Sequence, residues 1–190
     1  MNKYSVVMTL GVILTMLGTT SVYARETKFQ LAPRVGMGRL HIASDHAVSR
    51  VDEQVDAIAL GVTIGVVTPV DVMFEVGAFG YWNTAFSNSD DLNNAGTEDR
   101  HTVDQWTFAL GYQFETDNGF LITPKVGRMS WKLSERGGHP GPEGEGTDNF
   151  WQLTLQKRLA KWFAVGVDLR GGALEFGSAR SITAIATFEL

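Results

Sequence analysis

The chain has 190 residues, a formal net charge of −5 and no cysteine. The missing cysteines exclude a disulfide framework and a thiolate metal site, and the lysines and arginines are scattered through an acidic sequence, which argues against a nucleic-acid partner. After Ala24 no apolar run approaches the roughly 18 to 20 residues of a spanning helix, so any membrane-spanning structure in the mature chain must be a closed barrel.

Met1 to Ala24 reads as a cleaved export signal: one cation at Lys3, an apolar stretch from Val6 to Leu17, and Val22 and Ala24 placed for a signal peptidase. The mature part, residues 25–190, has the length of one domain. Eight segments in it alternate with period two, the mark of strands. Phe29, Leu31, Val35 and Met37 oppose Lys28, Gln30, Arg34, Gly36 and Gly38. Ile58 to Val66 then opposes Ala57 to Gly65, and Val72, Phe74, Val76 and Ala78 oppose Glu75 and Gly77. Trp106 to Phe114 opposes Gln105 to Gln113. In the fifth segment Phe120, Ile122 and Val126 oppose Thr123, Lys125 and Gly127. Trp151, Leu153 and Leu155 oppose Gln152, Thr154, Gln156 and Arg158, and Phe163 to Leu169 opposes Gly166, Asp168 and Arg170. Last come Ile182, Ala184, Ala186, Phe188 and Leu190 against Ser181, Thr183, Thr187 and Glu189. The fifth segment fits least well. Arg128 follows Val126 on the apolar face and Trp131 has the opposite parity, so either Arg128 lies at the outer headgroup level or a bulge after Gly127 flips the register.

Alternation alone does not distinguish a water-soluble barrel from one in lipid. The second face does. A solvated surface is dense in charge, whereas this face is mostly Gly, Ala, Thr and Gln, side chains that fit the narrow interior of an eight-stranded barrel. Trp82, Trp106, Trp131 and Trp151 fall near strand ends that meet long links, and Trp162 falls at a short turn, as in the paired aromatic girdles of a membrane barrel. The girdle residues expected from this pattern are Trp82, Trp106, Trp151 and Trp162, joined on the short-turn side by Tyr112, Phe114, Phe120 and Phe163. Connections alternate as well. Tight links fall at Thr68-Pro69-Val70, Thr116-Asp117-Asn118-Gly119 and Ala160-Lys161, and long ones at Ala43 to Glu53, Asn83 to His101, Ser134 to Asp148 and Leu174 to Arg180. The expected fold is all-β: an eight-stranded antiparallel transmembrane barrel with up-and-down topology, three short periplasmic turns and four long extracellular loops.

Trp151 to Gly172, WQLTLQKRLAKWFAVGVDLRGG, resembles the strand, turn, strand hairpin of the OmpA-like and OmpX-like outer-membrane β-barrels. Val72 to Trp82, VMFEVGAFGYW, resembles their pattern of one acidic residue within an apolar and aromatic strand. The resemblance covers the mature chain in pattern and concerns the barrel alone, with no peptidoglycan-binding domain. It departs at Leu190, where the family's assembly signal usually ends in an aromatic; Phe188 stands nearby. It implies location in the outer membrane of a Gram-negative bacterium, lipid and lipopolysaccharide as surroundings, recognition of the C-terminal strand by the barrel-assembly machinery, and a role in adhesion or envelope integrity.

Inward charges form the first candidate site: Arg34, Glu75, Lys125, Asp168 and Arg170, with Arg158 nearer the periplasmic mouth. Buried charges persist only when paired, so a structural polar network that plugs the lumen is expected, and members of the resembled family carry such a network, in some cases discussed as a gate. A narrow channel is the alternative function. A lipid A-modifying enzyme ranks third: of the histidines His41, His46, His101 and His139, His41 with Ser44 or His101 with Asp99 could be argued, and neither repeats the family's catalytic spacing. Asp45, His46, Asp90, Asp91, Glu98, Asp99, His101, Glu143, Glu145 and Asp148 crowd the loops with oxygen and imidazole donors, without the spacing of a metal site. Neither cofactor nor metal is expected. Recognition by loops on a rigid frame remains as the preferred function.

Overall fold

Period-two alternation leaves each segment one apolar and one mixed face, and the chain satisfies both by closing on itself. The computed structural model describes residues 26–42, 53–82, 100–136, 144–175 and 177–190. The export signal and most of three long links lie outside these residues. Eight strands follow one another: β1 (Lys28–Ile42), β2 (Glu53–Val67), β3 (Val72–Trp82), β4 (Arg100–Tyr112, resuming at Phe114–Glu115), β5 (Phe120–Arg136), β6 (Gly144–Ala160), β7 (Phe163–Leu174) and β8 (Gly177–Glu189). Each pairs antiparallel with its sequence neighbour, and β8 pairs with β1 to close the ring. Following Cα partners around from Gln30 leads through Gly65, Glu75, Ala109, Gly127, Phe150, Gly172 and Ala179 to Leu40, a stagger of ten residues. At a rise of about 3.3 Å per residue and a spacing of about 4.8 Å, that stagger tilts the strands by about 40°.

The turns at one end are tight. Thr68 N–H donates to Val72 O at 2.8 Å and Asp71 N–H to Thr68 O at 2.9 Å, with Asp71 at a φ of 62°. In the second turn Gly119, at a φ of 73°, donates its N–H to Thr116 O at 2.8 Å; glycine enters this left-handed region without steric cost. Lys161 and Trp162 make the third turn. Both ends of the barrel chain lie at this end too.

At the other end the links are 43–52, 83–99, 137–143 and 175–176. The last corrects the expectation of four long loops: Leu174 pairs with Gly177, so Leu174 to Arg180 is mostly strand, joined by a two-residue link. The Ser134 to Asp148 link shrinks for a similar reason, because β5 continues to Arg136 and β6 begins at Gly144.

The fifth strand is regular. Its pairing keeps one register with β4 from Leu121 to Arg136 and one register with β6 from Phe120 to Leu133. Arg128 therefore points outward and Trp131 inward, where Trp131 is only 4 % exposed against 72 % for Trp106. The bulge alternative is excluded, and Trp131, though it lies near a strand end like the other tryptophans, is inside the barrel. Its parity, not its nearness to a strand end, decides its surroundings.

Candidate functional site: a filled lumen inside an apolar belt

Outward residues form a belt of about nine residues per strand, the length that crosses a bilayer when tilted. On β1 it runs from Phe29 to Met37, on β2 from Ile58 to Val66 and on β8 from Ile182 to Leu190, and most of these apolar side chains are exposed. Above it the next outward positions turn polar: Arg39, Asp56, Asp104, Arg128, Asn149 and Arg180. Trp82, Trp106 and Trp151 sit at this upper edge, all exposed, while Trp162 marks the lower edge with Phe163 and Phe188, its ring stacked on Phe188 at a centroid distance of 6.3 Å. The four expected girdle tryptophans thus face outward at the two rims.

The lumen is filled in three tiers. At the short-turn mouth Arg158 binds Glu115 at 2.9 Å and Glu189 at 2.8 Å, and Lys28 reaches Glu189 at 3.3 Å. The middle tier is ionic. Glu75 accepts from Lys125 Nζ at 2.6 Å and from Arg34 Nη2 at 3.0 Å. Arg34 also donates to Thr63 Oγ1 at 2.7 Å and lies 3.5 Å from Asp168. Asp168 accepts from Thr154 at 2.6 Å and Gln152 at 3.0 Å. Gln30, Gln113, Gln156 and Thr187 extend the tier towards the mouth. All four charges are buried, and a buried charge is stable only with partners of this kind. The space left among Gln30, Arg34, Glu75, Gln113 and Lys125 is about 10 Å³, at the lower limit for a single water molecule.

Arg170, the fifth expected member, stands apart. Its guanidinium lies between the rings of Phe79 and Phe150, at 4.7 and 4.3 Å from their centroids, so cation–π attraction replaces a carboxylate. This begins the third tier. Towards the long links the interior becomes apolar: Leu40, Ala57, Ala59, Phe79, Tyr81, Val103, Met129, Trp131, Leu133, Phe150 and Leu174 pack as one cluster. Trp131 Nε1 donates to Asp148 Oδ2 at 2.6 Å, and Tyr81 OH donates to Ser181 Oγ at 3.2 Å. Sequence reasoning expected small polar side chains throughout the interior and missed this cap. The inward parities of Phe79, Tyr81, Met129, Trp131 and Leu133 carried the signal.

Of the residues considered for catalysis, His41 lies on β1; Ser44 and Asp99 fall outside the described residues, as does the side chain of His101. The acidic loop residues Asp45, His46, Asp90, Asp91, Glu98 and Glu143 fall outside them too. Among the described residues no three His, Asp or Glu side chains converge on a possible metal position.

Known families and characterised proteins give no match to the sequence. Solved structures do. Neisserial surface protein A superposes with a TM-score of 0.60 at 8 % identity, covering 87 % of this chain and 100 % of that one. The attachment invasion locus protein Ail of Yersinia pestis gives 0.58 at 10 % identity with the same coverages. The N-terminal β-barrel domain of Pseudomonas aeruginosa OprF gives 0.54 at 13 % identity, covering 85 % and 97 %. The fold is that of the small outer-membrane β-barrels. In this chain the interior holds an ion-pair tier beneath an apolar cap.

Proposed function

We propose that the chain is a structural and interaction protein of the Gram-negative outer membrane, a closed barrel that holds three long links in place outside the cell. The observation that carries this reading is the filled lumen, with an ion-pair tier that leaves about 10 Å³ and an apolar cap above it. A frame filled in this way is suited to holding loops rather than passing solutes. The reading is non-enzymatic, and it includes export through the signal at residues 1–24 and assembly through β8.

One of the similar structures is Ail in complex with the heparin analogue sucrose octasulfate, a polyanion. Here the link 83–99 carries Asp90, Asp91, Glu98 and Asp99, so charge complementarity favours a cationic partner surface instead. The test replaces 83–99 and 137–143 by short turns and compares adherence of expressing cells to coated host surfaces. Adherence should fall to background while heat-modifiable gel migration stays intact, and heparin should not compete. Adherence that survives both replacements would show that the loops are not the site.

A further inference from the structure

A second feature lies on the outside of the barrel, where β5, β6, β7 and β8 meet the upper edge of the apolar belt. A groove of about 630 Å³ opens there between Arg128 on β5 and Arg180 on β8, with Asn149, Ser178 and Trp151 along it. Its floor is kept low by Gly171: a Cβ at that position would sit 2.7 Å from Cε2 of Trp151, so the indole lies directly against the β7 backbone.

Charge makes the groove unusual in an acidic chain. Among the described residues neither Arg128 nor Arg180 has a carboxylate partner, whereas the neighbouring Arg39 is tied to Asp56 at 2.8 Å. Arg180 is also placed directly across from Arg39 in the β1–β8 register, so two cations stand by the one carboxylate that Arg39 already binds. Depth narrows the choice of anion. Arg128 comes one outward step above Val126, and Arg180 one outward step above Ile182, both exposed apolar residues of the belt. The two guanidiniums therefore stand at the level where lipid phosphates meet the hydrocarbon. Arginine's planar fork binds phosphate oxygens in pairs, and basic pockets at this depth take lipid headgroups.

We propose that this groove binds a phosphate-bearing glycolipid of the outer leaflet, of the lipid A type. Its phosphate lies between Arg128 and Arg180, Asn149 and Ser178 supply hydrogen bonds, and an acyl chain runs down over Trp151 and Val126. The inference rests on the membrane-barrel reading, and the two fail separately: a chain that does not fold in detergent or lipid refutes that reading, whereas a folded chain without lipid selectivity refutes only this one.

The test is native mass spectrometry of the folded barrel in neutral detergent, titrated with lipid A, with its dephosphorylated form, or with inorganic phosphate. Heat-modifiable migration checks that each variant is folded. One equivalent of lipid A should bind the unaltered chain. Affinity should fall about ten-fold or more for the dephosphorylated form and for Arg128→Gln with Arg180→Gln, the loss expected from removing charged hydrogen bonds. Arg128→Lys with Arg180→Lys should retain part of it. Equal binding of both lipid forms, or by the glutamine variant, would overturn the proposal. So would displacement of lipid A by equimolar inorganic phosphate, which would mark a site for free phosphate.

Discussion

Glu75 accepts from two cations at once, Lys125 at 2.6 Å and Arg34 at 3.0 Å, in a tier that leaves almost no room for water. Removing its charge strands both partners. Glu75→Gln should therefore lower the unfolding free energy by about 3–5 kcal/mol, the cost of breaking a buried pair from one side. Glu75→Met combined with Lys125→Met should cost much less, because Arg34 keeps Thr63 and Asp168 as neighbours and a matched apolar replacement of a buried ion pair is often close to neutral. Urea unfolding from lipid vesicles, followed by tryptophan fluorescence, measures both. A double variant as unstable as the single one would show that the tier is not organised around this pair.

At the scale of the element, turn chemistry sets the short-turn end. Asp71 closes the β2–β3 turn at a φ of 62° and its carbonyl accepts from Gln113 N–H at 2.8 Å, tying the turn to β4. A β-branched residue resists that conformation, so Asp71→Val should cost about 1–2 kcal/mol. Asp71→Gly, which enters that region freely, should cost less than the valine, and the same urea titration distinguishes them. The strands themselves were legible in the sequence because lipid on one side and a narrow lumen on the other impose strict alternation. What misled was context that periodicity does not carry. Leu174 to Arg180 reads as a polar link, yet its Leu174 and Ala179 face inward and continue the β7–β8 ladder. Trp131 reads as a rim residue because it is aromatic and near a strand end, yet it is inside, on a part of β5 that rises beyond the membrane. There the rule changes, since outward positions such as Arg128 and Lys132 are polar and inward ones such as Met129 and Leu133 are apolar. The charged tier was legible as a set of inward ionisable residues. Its division, with Arg170 given to aromatic rings instead of carboxylates, depends on which residues neighbouring strands place opposite one another.

For the whole molecule, closure and filling follow from one another. A stagger of ten residues over eight strands leaves an interior just wide enough for side chains. Those side chains block the axis first with ions and then with an apolar cap. Purified protein in a planar bilayer should accordingly show no stable single-channel conductance, and a reproducible open level would contradict the filled lumen. More basic is the claim that the apolar face of every strand looks at lipid. Refolding from urea tests it: with lipid vesicles present, the unheated chain should migrate faster on a denaturing gel than the boiled one and show a β-type circular dichroism spectrum. A chain that instead forms the same β structure as a soluble monomer in detergent-free buffer would contradict the account.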